Sequence, residues 1–281
     1  MPLVTGLELL RPARAGGYAV GAFNCINLEY VRAVVNVAVE LNCPVIVALT
    51  PGALKYSGWD ALPAAVRAIA ENVSVPVCLH LDHGTKLSDL EKAAKAGFSS
   101  LMIDGAALPY AENVAITRSA AEIAHRAGAS LEGELGEIGG QEEDIVSHGV
   151  MTDPAAVADF VAQTGLDVFA SSFGSVHQKS ARDTRLDLER LERIAAATSA
   201  PLVLHGGSGV PDDQLREAIA RGVAKVNVGT QLQRTYAQVL RETLAAKPDE
   251  WDVRKLLGPA NAALEAMVRA RLEVLGCAGR A

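Results

Sequence analysis

An aspartate and a histidine stand side by side at the end of the apolar run Val77-Cys78-Leu79-His80-Leu81-Asp82-His83-Gly84-Thr85. The Val- and Leu-rich run reads as a buried strand that Gly84 ends. Neighbouring strand residues point to opposite faces, so Asp82 and His83 can share one space only where the strand gives way to a loop. Two more histidines have this placement: His177 follows Phe169-Ala170-Ser171-Ser172-Phe173, and His205 follows Pro201-Leu202-Val203-Leu204. Three strand-end imidazoles suit a borderline cation such as zinc and leave one or two positions for substrate oxygens. Asp104 and Glu134 end two other runs, where they would bind a second ion, orient ligands or cap the next element. His80 lies within its strand, His125 on a helix and His148 in a loop, so none of these joins the set.

A second constellation suits an anion. Gly206-Gly207-Ser208-Gly209 follows His205, and Asn227-Val228-Gly229-Thr230 opens a helix. Glycines let backbone N–H groups approach a phosphate, and a helix N-terminus attracts its charge.

The elements that position these residues recur as a strand followed by a helix. Strands are predicted at Tyr18–Phe23, Pro44–Leu49, Val77–His83, Ser99–Ile103, Ser130–Leu135, Leu166–Ser171, Pro201–Leu204 and Ala224–Val228. Asn27, Asp60, Ser88, Asp153 and Asp187 begin the intervening helices, and Thr50-Pro51-Gly52 reads as a turn. Gly136–Val150, rich in glycine and acids and without periodicity, reads as a mobile loop. Helices at Thr230–Leu244 and Pro259–Leu275 follow the last strand. Eight such units with no linker between them point to one (β/α)8 barrel domain over residues 1–281 with extra C-terminal helices. A doubly wound sheet would need a strand-order reversal. The barrel accounts for the polar residues better: Asn24, Thr50, Asp82, His83, Asp104, Glu134, His177, His205 and Asn227 all fall at or after strand ends, which a barrel gathers on one face. Loops after its seventh and eighth strands are the usual phosphate site.

Composition excludes several function classes. The 281 residues are 49% apolar but only 4% aromatic, so the core is aliphatic. A net charge of −7 argues against nucleic acid or an anionic membrane as the main partner. No apolar run approaches the roughly 20 residues that span a bilayer. Met1–Gly6 lacks the basic and apolar regions of a secretory signal. The cysteines at 25, 43, 78 and 277 form no metal or disulfide spacing and read as reduced thiols of a cytoplasmic protein.

Taken together, Leu81-Asp82-His83-Gly84, Asp104-Gly105, Glu134-Leu135-Gly136 with Gly139-Gly140, His205-Gly206-Gly207-Ser208-Gly209 and Lys225-Val226-Asn227-Val228-Gly229-Thr230 resemble the class II, metal-dependent ketose-bisphosphate aldolases. The likeness extends from Gly21 to Gly279. It implies zinc on His83, His177 and His205, with Asp104 and Glu134 matching positions used for a second divalent or a monovalent cation. It implies Asp82 as the proton donor and acceptor at the C4 oxygen, and Glu142 as the group that moves the proton at C3. Gly206, Gly207 and Ser208 with Asn227, Gly229 and Thr230 would hold dihydroxyacetone phosphate, while Asn24 and Thr50 would line the substrate site. Arg269 would meet the second phosphate, supplied by a neighbouring subunit of a homodimer or homotetramer.

Two departures stand out: Gln178 occupies the place of the family's glycine after the second zinc histidine, and position 229 is glycine where acidic, amide or alanine residues are usual. The rival chemistries are a Schiff-base aldolase using Lys225 or Lys86, a barrel that binds a phosphorylated ligand without turnover, and an aldolase for another phosphorylated keto-sugar or keto-acid. The stripe Leu264, Met267, Val268, Leu272 and Leu275 must pack either on the barrel's own helices or on a second subunit.

Overall fold

The computed structural model describes residues 3–142, 145–179 and 181–281, and the side chains of 142–146 lie outside that description. Among the described residues, β1 (Val20–Asn24), β2 (Val45–Leu49), β3 (Val77–Gly84), β4 (Ser100–Ile103) and β5 (Ser130–Leu135) form one run of parallel strands. A short hairpin, β6 (Gly140–Glu142) and β7 (Ile145–Ser147), stands outside it. The run continues through β8 (Val168–Ser171), β9 (Leu202–Leu204) and β10 (Val223–Val228), and β10 pairs with β1 to close the barrel. The predicted eight-unit barrel is therefore the fold.

Around the barrel, α1 (Gly6–Gly16), α2 (Leu28–Leu41), α3 (Pro51–Ser57), α4 (Ala61–Glu71), α5 (Leu87–Lys95), α6 (Tyr110–Arg126), α7 (Pro154–Thr164), α8 (Leu188–Ala197) and α9 (Asp212–Ala220) follow in chain order. Asn27, Asp60, Asp153 and Asp187 each cap a helix with a side-chain oxygen, as predicted. Helix α1 lies against the entrance from which the strands start. A Cβ on Gly6 would come within 2.9 Å of Ser100 Oγ, so only glycine lets the helix sit this close.

Three elements differ from expectation. Thr50-Pro51-Gly52 starts a helix rather than a turn: Thr50 Oγ1 accepts from the Ala53 N–H at 3.2 Å, and Pro51 takes the first helical position, where a missing N–H costs nothing. Gly136–Val150 holds the β6–β7 hairpin instead of remaining irregular. The last helix, α11 (Val253–Leu275), starts six residues before Pro259 because Asp252 caps it there and the proline is accommodated inside.

Helices α10 (Thr230–Ala246) and α11 pack together, and α11 also lies along α2 and β1. Its stripe Leu264, Met267, Val268, Leu272 and Leu275 is buried in the chain's own core. The stripe thus needs no second subunit to cover it. The thiols of Cys43 and Cys277 touch at 3.2 Å, tying the end of α11 to the entry of β2 as free cysteines. Leu272→Ala should lower stability by about 2–5 kcal/mol, as expected for a leucine truncated in a closed core. Urea unfolding monitored by circular dichroism measures it, and an unchanged midpoint would mean that this stripe is not core.

Candidate active site

The carboxyl ends of the strands converge on one polar centre. Strand β3 runs one residue past the predicted Val77–His83, to Gly84, and carries a bulge. Leu81 pairs with Leu101 and Gly84 with Ile103, so three steps on β3 face two on β4. His83 takes up the extra residue with φ +50, the left-handed region that side chains seldom enter. This is how adjacent Asp82 and His83 reach one site. Gly84 is needed there, because a Cβ would meet Met102 O at 2.8 Å.

His83, His177 and His205 come together, each offering a ring nitrogen within 4.8 Å of the others. Their rings meet edgewise, with centroids 4.7–5.9 Å apart. The hydrogen bonds settle which nitrogens of two rings carry protons. His83 Nδ1 lies 3.0 Å from Asp104 Oδ2, and His205 Nε2 lies 2.8 Å from Glu132 Oε1. Burial alone would raise both carboxyls, but His83 pulls Asp104 below its usual value, and Lys225 with His205 brings Glu132 down to about 2. Ionised carboxylates only accept, so His83 Nδ1 and His205 Nε2 are the donors. The lone pairs therefore lie on His83 Nε2 and His205 Nδ1, the atoms that could face a cation, and His205 Nδ1 is also 3.2 Å from Asn227 Nδ2. Burial also drives His205 down to about 4, keeping it neutral. Three buried or half-buried imidazoles, two oriented by carboxylates, fit a tetrahedral cation such as zinc.

A second cluster, His83, Asp104 and Glu134, has the same close grouping. Burial and then the Asp104 charge push Glu134 well above its usual value, and Glu134 Oε2 has no hydrogen-bond partner among the described residues. That pair of carboxyls requires either a proton or a cation between them.

Asp82 sits beside the histidines and is 1% exposed. It accepts from Asn24 Nδ2 at 2.7 Å and from Asn227 Nδ2 at 3.0 and 3.2 Å. Burial works against its charge, but His83, His80, Lys225 and His205 outweigh burial and hold it well below the ordinary range. It is therefore an ionised acceptor in a dry site.

One layer deeper, about 7 Å along each strand, lie residues that the strand-end criterion passed over. Lys225, two before Asn227, donates to Glu132 Oε2 at 2.6 Å and lies 3.1 Å from His80 Nε2. His80 Nδ1 contacts Ser100 Oγ at 2.8 Å. All three side chains are 1% exposed. Period-two spacing (His80 with Asp82, Glu132 with Glu134, Lys225 with Asn227) was the signal that could have found them. Lys225 is thus committed to an ion pair beneath the site, and Lys86 is exposed at the start of α5.

The glycine loops flank the histidine cluster. Gly206 has φ +69, and a Cβ on it would meet Val176 O at 2.7 Å. Gly207–Gly209 form a single 3-10 turn, and α10 starts at Thr230 after Gly229, which has no side chain to cap it, while Ser208 Oγ accepts from the Gln231 N–H. Asp82, His83, His177, Gln178, Gly206, Ser208, Asn227, Gly229 and Thr230 line one small pocket between them. Gln178 has φ +54, so this chain places a side chain where the backbone favours glycine. A cavity of about 520 Å³ opens beside it, lined by Asn24, Thr50, Tyr56, Gln178, Gly229, Gln233 and Arg234.

Two expected residues stand elsewhere. Arg269 pairs with Glu40 in the last turn of α2. That turn leads into the start of β2, and α2 is about 20 Å long, so Arg269 is not in this subunit's site. The backbone of Glu142 ends β6, and its side chain lies outside the described residues. The hairpin is tied to the histidine cluster at its base: His177 N donates to Gly139 O at 2.8 Å, and a Cβ on Gly140 would meet His177 O at 2.5 Å. That close approach explains the Gly139-Gly140 pair.

The family model for class II fructose-bisphosphate aldolases matches residues 4–280. Over their full lengths, this chain is 44% identical to a protein described as a probable fructose-bisphosphate aldolase of Bacillus subtilis (strain 168). It is 41% identical to a fructose-bisphosphate aldolase of Staphylococcus epidermidis, again over all of both chains. Among solved structures, a putative fructose-1,6-bisphosphate aldolase from Coccidioides immitis superposes with a TM-score of 0.90 at 31% identity, covering 98% of this chain and 97% of that one. The YdjI aldolase from Escherichia coli K12 gives 0.86 at 29% identity, covering 99% of each. The chain belongs to the class II fructose-bisphosphate aldolase family. It is a lyase that cleaves a phosphorylated ketose by aldol chemistry.

Glu132→Gln keeps the size of the side chain but removes the carboxylate that fixes His205. Affinity for zinc should fall about 10–100-fold, as outer-shell losses usually do, with the fold retained. Competition with a chromogenic chelator measures this, and wild-type affinity in the variant would show that Glu132 does not orient a ligand.

Proposed function

We propose that this enzyme binds zinc through His83, His177 and His205 and cleaves a fructose- or tagatose-type ketose 1,6-bisphosphate to dihydroxyacetone phosphate and an aldehyde. The observation that carries the reading is an ionised Asp82, held by two asparagine amides, beside three imidazoles and between two glycine loops. Zinc bound there would act as a Lewis acid toward the negative charge that develops as the C3–C4 bond breaks.

The chain's own residues supply the rest. Asp82 takes the proton from the C4 hydroxyl on cleavage and returns it on condensation. Asn24 and Asn227 fix that carboxylate in place. The Asn227 Oδ1 atom, buried and without a partner among the described residues, accepts from a substrate hydroxyl. The N–H groups of the Gly206–Ser208 turn and of the Gly229–Thr230 helix start receive the first phosphate. Glu142, on the hairpin tied to His177, moves the proton at C3. Asp104 and Glu134 orient His83 and accommodate a second cation. Arg234, at the wall of the 520 Å³ cavity, supplies the cation that meets the second phosphate. We place the enzyme in the cytoplasm as a homodimer or homotetramer. In that assembly the half-exposed Arg269, paired with Glu40 in its own subunit, would reach only a neighbour's site.

A coupled cleavage assay over ketose mono- and bisphosphates tests this reading. Activity should vanish with chelator, return with Zn²⁺, and favour bisphosphates by a margin that Arg234→Ala removes. Asp82→Asn should cost about 10²–10⁴ in turnover at unchanged zinc content. Near-normal turnover in Asp82→Asn, or chelator-resistant cleavage with substrate trapped by borohydride, would overturn the assignment.

A further inference from the structure

Four polar side chains that the reaction does not use meet behind the glycine loops. They are Arg271 on α11, Gln231 in the first turn of α10, Asp212 at the start of α9 and Arg182 from the segment between β8 and α8. Arg271 is only 2% exposed. Its Nε and Nη2 donate to Gln231 Oε1 at 2.7 and 2.5 Å, and its Nη1 donates to Asp212 Oδ1 at 3.2 Å. Arg182 pairs with the same carboxylate oxygen and also donates to Val210 O. Gln231 completes the link, because its backbone N–H donates to Ser208 Oγ at 3.2 Å. One line of hydrogen bonds therefore runs from α11, through the first turn of α10, into the 3-10 turn after β9.

This arrangement is costly if its only task is to dock α11. A buried guanidinium pays a large desolvation penalty, and an apolar residue of similar volume usually packs a helix at least as well. Leu264, Val268, Leu272 and Leu275 already anchor α11. The cluster also leaves charge over: two guanidiniums face one carboxylate. Burial lowers Arg271 to about 10, which still leaves it cationic at neutral pH. Ser208 lines the small pocket between the loops, and Gln231 directly follows Gly229 and Thr230, which line it too.

We propose that Arg271 is a positioning residue for the substrate's first phosphate. By gripping Gln231 it fixes the first turn of α10 and, through Ser208, the turn after β9. It also places an uncompensated positive charge behind the N–H groups that receive the dianion. The proposal rests on the reading of these loops as the phosphate site.

The test is condensation kinetics with dihydroxyacetone phosphate as the varied substrate, run with inorganic phosphate as competitor. Arg271→Met should raise KM for dihydroxyacetone phosphate by about tenfold or more, with kcat within about threefold, zinc content unchanged and weaker competition by phosphate. Arg271→Lys should recover most of that KM. Gln231→Ala cuts the same link at a half-exposed position and should also raise KM, which keeps the test available if the methionine variant does not fold. An unchanged KM in either folded variant, or a loss of thermal stability alone, would overturn the role of Arg271. If phosphate fails to compete even in the wild type, the reading of the loops fails instead.

Discussion

Everything at the site depends on one extra residue in β3. A regular strand would send Asp82 and His83 to opposite faces, one into the barrel and one toward the helices. The bulge between Leu81 and Gly84, with His83 at φ +50, turns both inward at the rim. A left-handed histidine costs of order 1–3 kcal/mol and persists only where its surroundings compensate for it. Here the compensation is visible: Asp104 holds the His83 ring, Asn24 and Asn227 hold Asp82, and Gly84 lets β4 pass within contact. The strained conformation and the placing of Asp82 beside His83 are thus the same feature.

The layer beneath explains how such a charge-rich rim can sit on an aliphatic barrel. Asp82 and Glu132 are both fully buried anions, and unpaired burial of either would be prohibitive. Lys225 lies between their layers as the countercharge, bonded to Glu132 and to neutral His80. Glu132 passes this influence to His205, whose tautomer it sets. The outer network around Arg271 repeats that logic at the phosphate end. In both places a buried cation acts on the substrate site through an intervening side chain.

Much of this was legible in the sequence because it is local. Apolar runs separated by Asn27, Asp60, Asp153 and Asp187 read as strands and capped helices, and strand ends gathered the three histidines. What escaped depends on contacts between distant segments. Glu132 and Lys225 look like core positions until barrel closure brings three strands' inward residues together. The helix after Thr50 was hidden because Pro51-Gly52 reads as a turn unless the threonine's cap is recognised. The α11 stripe could not say whether it faced its own barrel or another subunit, and the structure places it inside. Arg269 and Arg271 sit two residues apart on that helix, yet one pairs with Glu40 outside the barrel and the other reaches the loops, a distinction made only by helix rotation.

The central claim is that the bulge delivers His83 and Asp82 to a cation held by three imidazoles. Diffraction from crystals of the zinc-loaded enzyme, collected at the zinc absorption edge, tests this most directly. The account predicts one strong anomalous peak about 2.0–2.1 Å from His83 Nε2, a His177 ring nitrogen and His205 Nδ1, with Asp82 adjacent but not bonded to the metal. A peak held by His83, Asp104 and Glu134 alone, or one bound through His205 Nε2, would contradict it.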